Sequence, residues 1–88
     1  MCRNITVLRG LEPPATAEEI RAAAMQYVRK VSGVTSLSAA TRGPLEAAAA
    51  EVAKITEALL AELPDRRTPP AKQPPLRRPE VRARLGLP

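Results

Sequence analysis

The sequence predicts an all-α protein: a small two-helix hairpin with an extended N-terminal arm and a disordered or extended Pro/Arg-rich C-terminal tail. Three observations carry this expectation. The first third contains a complete helix signal, with a start, an amphipathic body and a stop. A second apolar periodicity runs from Leu45 to Leu63. Seven of the ten prolines then lie between residues 64 and 88, where a packed helix has no place. The expected division is a hairpin domain over residues 1–63 and a basic tail over 64–88.

In chain order, Ile5 to Leu11 is short, aliphatic and partly β-branched, and Pro13 and Pro14 bar a helix through its end. A lone strand has no partner, so this stretch is expected as an arm laid on the helices with Ile5, Leu8 and Leu11 inward. Thr16 stands three residues before Glu19, the spacing of a capping box, and starts the first helix at Ala17. Ile20, Ala24, Tyr27 and Val31 recur every three or four residues and define its core stripe, with Tyr27 read as core. Arg29 and Lys30 complement the carbonyl end of the dipole, and Gly33 supplies the left-handed stop, so the helix covers 17–32.

A Ser/Thr-rich loop follows, and Thr41 before Arg42-Gly43-Pro44 reads as the cap of a second helix over 42–63. Its Leu45, Ala48, Val52, Ile55, Leu59 and Leu63 form a seam close to a heptad repeat. The alanine run from Ala47 to Ala50 lets a neighbouring helix approach closely. Beyond Pro64 there is too little apolar surface to offset ordering entropy, which predicts a free, polyproline-like linker. Its last ten residues differ: Pro79, Val81, Leu85 and Gly86 allow PEVRARLG a short helix on contact with another surface.

At MCRNI, followed by PPAT, EEIRAAA, QYVRKVSG and ITEALLAEL, the chain resembles a bacterial family known as domain of unknown function 2277. The resemblance covers residues 1 to about 63 and implies no activity. Thr41 and Leu45 stand where its members often carry Asn and Phe, a cap for a cap and an aliphatic for an aromatic. The proline-arginine tail is expected outside it. A partial likeness to the two central helices of J-domain cochaperones fails at the loop, because no His-Pro-Asp, and no histidine at all, is present.

The 88 residues carry a net charge of +5. The tail alone holds seven Arg/Lys against Asp65 and Glu80, which is also +5, while the remainder balances. Arg66, Arg67, Lys72, Arg77, Arg78, Arg82 and Arg84 are therefore polyanion-binding candidates, able to reach a phosphate backbone in RNA or on a ribosome. With no aromatic residue interleaved, base stacking and sequence readout are not expected, and any nucleic-acid binding would be directed to the backbone. The absence of histidine removes Cys/His and most acid–base chemistry, leaving Cys2, beside Arg3, as the one weak catalytic candidate for a thiol enzyme or redox sensor. Scattered glutamates and one thiol predict no metal, and scattered glycines predict no cofactor. One cysteine, no signal segment and no apolar run long enough for a bilayer predict a cytoplasmic protein without a membrane partner.

Two alanine-rich helices bury little area, so the expected function is that of a non-enzymatic interaction or adaptor protein. A protein partner or a second copy would complete the core through Leu45, Val52, Ile55 and Leu59.

Overall fold

The computed structural model describes residues 4–66, 70 and 73–86. Cys2, Arg67 and Lys72 lie outside the described residues. The architecture is all-α. α1 (Ala17–Ser32) and α2 (Ala39–Glu62) form a hairpin, followed by a single 3-10 turn at Pro75–Arg77 and a short α3 (Pro79–Arg84).

α1 begins and ends where the sequence places it. The Thr16 hydroxyl accepts from the Glu19 backbone N–H at 3.1 Å, and the Glu19 carboxylate accepts from the Thr16 N–H at 2.9 Å. At the far end Gly33 adopts φ 74°, and the N–H of Val34 reaches back to the Arg29 carbonyl at 3.2 Å. The Arg29 guanidinium folds over this end and donates to the carbonyls of Val34 and Thr35. No atom lies within 4 Å of a Cβ built on Gly33, so Gly33→Ala tests backbone conformation alone. It is expected to cost about 1 kcal/mol, read as a lower urea midpoint at unchanged slope.

α2 corrects the sequence reading in two ways. It starts three residues early, because Ser38 and not Thr41 is the cap: the Ser38 hydroxyl accepts from the Thr41 N–H at 3.3 Å and the Thr41 hydroxyl accepts from the Ser38 N–H at 2.8 Å. Pro44 consequently falls inside the helix. Gly43 before it carries no Cβ, which relieves part of the clash that normally keeps a residue preceding proline out of helical conformation.

The second correction concerns the buried face. The residues turned inward are Leu45, Ala49 and Ala53, spaced by four, with Val52 and Leu60 partly buried beside them. They meet Ile20, Ala24 and Val28 of α1, also spaced by four. Two ridges of like period interdigitate, and alanines at the contact let the backbones approach. Ala48, Ile55 and Leu59 of the expected seam are exposed. On α1 the same choice buries Val28 and leaves Tyr27 49% and Val31 68% exposed, so Tyr27 is not a core residue.

The arm packs as expected at Leu8 and Leu11, whereas Ile5 is exposed. It is tied at both ends: the Asn4 N–H donates to Gln26 Oε1 at 2.7 Å, and the Arg9 guanidinium donates twice to the Pro64 carbonyl, at 2.9 and 2.6 Å. Gly10, at φ 88°, gives room to the Arg66 side chain, whose Cδ would lie 2.9 Å from an added Cβ.

The tail is not free where it is described. Pro74 and Pro75 are buried, and the short helix expected on contact with a surface forms beside the 3-10 turn of this chain, against which α3 packs. Arg77, at the end of that turn, ties the segment to the hairpin.

Candidate interaction surface

Arg77 closes the C-terminal segment onto the start of α1. Its Nε donates to Glu19 Oε2 at 2.6 Å, its Nη2 to Glu19 Oε1 at 3.0 Å, and Nη2 also donates to the Pro14 carbonyl at 3.0 Å. This is a two-pronged guanidinium–carboxylate pair across 58 positions of sequence, with the Glu19 side chain 5% exposed. Burial alone would push the Glu19 carboxyl upward, but hydrogen bonds from Arg77 and the Thr16 N–H, with the guanidinium charge, outweigh it and hold the group below its ordinary value. The same hydrogen bond, opposed by burial, raises Arg77.

The polyanion-binding set is thereby dispersed. Arg77 is committed to Glu19, Arg82 Nη1 donates to the Leu76 carbonyl at 2.7 Å, and the Arg66 stem packs over Gly10. Arg67 and Lys72 lie outside the described residues. Among the described residues, Arg78 and Arg84 make no side-chain hydrogen bond or ion pair. An extended cationic groove-binder needs its charges turned outward, and this segment turns the central one inward.

The interface candidates separate differently. Leu45 is 7% exposed inside the hairpin and cannot meet a partner. Val52 lies at the edge of the core, lining a largely apolar groove of about 260 Å³ with Ile5, Thr6, Tyr27, Thr56 and Leu60 among its neighbours. Ile55 and Leu59 follow Val52 by three and seven positions, continue its side of α2 away from α1, and are 67% and 51% exposed. Sequence reasoning missed Ile5 and Tyr27 as parts of this surface, since their aliphatic or aromatic character at core-like spacing signalled burial. No clue in the sequence paired Glu19 with Arg77.

A family model described as an uncharacterized conserved protein (DUF2277) matches residues 1–84. The chain belongs to that family. The DUF2277 match runs through α3, so the limit expected near residue 63 is corrected: the segment carrying Arg77 lies within the family's span. No curated protein and no solved structure matches the chain. Among the described residues no group of three or more Cys, Asp or Glu could hold a metal ion, and no helix is long and apolar enough to cross a membrane.

Proposed function

We propose that this DUF2277 protein is a non-enzymatic interaction module whose working surface is the outward apolar face made by Ile5, Tyr27, Val52, Ile55 and Leu59. The supporting observation is that α2 is apolar on two sides while α1 and the arm cover only one. A helix apolar on most of its circumference needs cover on more than one side. Here the second side holds two of the largest aliphatic residues of α2, and burying each on a partner returns roughly 1–2 kcal/mol at about 25 cal/mol per Å².

The test places a photo-cross-linking amino acid at position 59 or, as a control on the opposite side of α2, at position 54. Both variants are first matched for helical content and melting temperature. Irradiation in growing cells is expected to give discrete higher-mass adducts from position 59 and none from 54. Equal yields from both positions, or none from 59, would overturn the reading.

A further inference from the structure

We infer that the uncovered side of α2 is a self-complementary seam through which two copies of this chain pair antiparallel, Ala48 meeting Leu59 and Val52 meeting Ile55 of the second copy. This rests on the reading of that face as the working surface and names its occupant.

The first support is the spacing. Ala48, Val52, Ile55 and Leu59 are separated by four, three and four positions. Reversed in direction, that pattern falls on itself about a midpoint between Ala53 and Lys54. A two-fold axis through that midpoint therefore superposes the seam of one copy on that of the other, as an isologous interface requires. That spacing permits the pairing, as any heptad-like stripe does, and the side-chain sizes select its register.

The second support is size. The axis sets the smallest side chain of the seam, Ala48, against Leu59, and sets Val52 against Ile55. Small meets large at each end, so the layers fill without a void or a clash. All four seam residues are on a rigid 24-residue helix whose two termini are both outside the seam.

Charge and area agree. Lys54 points to the far side, and Glu51, at the rim, lies five positions from its symmetry mate along the helix axis. With about 1.5 Å per residue along the axis and about 8 Å between the axes, the two carboxylates stay more than roughly 10 Å apart, where salt screens them. Ile5, Tyr27, Ile55 and Leu59 are 43%, 49%, 67% and 51% exposed. Together they present on the order of 400 Å² of apolar surface, as large as the main patch of an ordinary monomer. That is about half of the roughly 800 Å² that each side of a standard interface buries, close to the apolar share such interfaces carry.

The experiment measures the mass of the full chain by sedimentation equilibrium from low micromolar to submillimolar concentration, for wild type and three variants. Wild type is expected to rise from 9.4 kDa to twice that mass. Ala48→Leu sets leucine against leucine and Leu59→Ala sets alanine against alanine, and each is expected to weaken dimerisation about tenfold. Ala48→Leu combined with Leu59→Ala exchanges the two partners and is expected to restore dimerisation to within about threefold of wild type, which only the antiparallel register allows. Both positions are exposed, so melting temperature at the lowest concentration reports any damage to the fold separately. A chain monomeric throughout, or a double variant weaker than either single one, overturns the inference. If position 59 still cross-links to a different protein in cells, the interaction reading survives that failure. If it cross-links to nothing, both fall.

Discussion

Replacing Arg77 with alanine is expected to lower the stability of the whole chain by about 2 kcal/mol, a drop of about 10 °C in melting temperature for a domain of this size. The loss reaches the hairpin because the group left behind is there: Glu19 sits in the first turn of α1, 5% exposed, and without Arg77 it keeps only Thr16, through its N–H and hydroxyl, to hydrogen-bond its carboxylate. Breaking one half of a buried pair costs more than the pair is worth intact, since the surviving charge stays desolvated. The figure is set below the upper range for such pairs because a vacated Arg77 site admits water to the carboxylate. Thermal unfolding followed by circular dichroism at neutral pH measures it, and an unchanged midpoint would remove the latch from the fold.

The same pair fixes the shape of the acid limb. Glu19 is held below its unfolded value in the native state, so its contribution is fully present above the unfolded value of about 4.3 and is lost as pH falls through the lower native one. Wild-type stability is therefore expected to be level on this account from neutral pH to about pH 5, and to decline below it. The Arg77→Ala variant is expected to start lower and decline less steeply, because burial without the guanidinium pushes the native carboxyl upward. A variant curve running parallel to wild type would show that Arg77 does not set the ionisation of Glu19.

The parts of this fold that were legible in the sequence are those decided within a few residues. Thr16 and Glu19 cap α1 because their spacing permits two reciprocal bonds, and Gly33 ends it because a left-handed residue is needed there. The parts that were not legible turn on competition between equivalent local choices. Ser38 and Thr41 are both good caps, and when both are used as one box the earlier residue becomes the start. The leucine and isoleucine spacing on α2 favours a heptad seam by hydrophobicity alone, yet the alanine ridge won inside the hairpin because α1 is also thin at Ala24, and backbone proximity there buries more than two bulky rows held apart. Arg77 was read by its charge as a ligand for phosphate; its partner, 58 positions away, was already explained as a cap and gave no sign of a second role. The surface candidates inherited that ambiguity: Val52, Ile55 and Leu59 stayed together on one side, and Leu45 went to the other.

Which face of α2 is the inner one has a sharp experimental signature at two neighbouring alanines. Ala49 is 0% exposed, surrounded by the cluster of Leu8, Leu11, Ile20, Ala24, Val28, Leu45 and Ala53. Enlarging it to leucine adds three carbon atoms where no space exists, forcing α1 and α2 apart along the contact that the small residues created. The expected cost is about 3 kcal/mol, the upper part of the range for overpacking, because the obstruction is met by backbone across the helix pair as well as by side chains. Ala47→Leu, two positions away and exposed, introduces the same atoms and the same slight change in helix propensity, and is expected to stay within about 0.5 kcal/mol of wild type. Denaturant titration of both variants at a concentration too low for self-association makes the comparison independent of any partner. Had the heptad seam through Ala48, Ile55 and Leu59 been the inner face, Ala49 would lie at its margin and tolerate leucine, and Ile55→Ala would be the severe change. A harmless Ala49→Leu together with a strongly destabilising Ile55→Ala would thus rotate α2 by about a quarter turn and withdraw the apolar face from solvent, and with it the surface on which self-pairing depends.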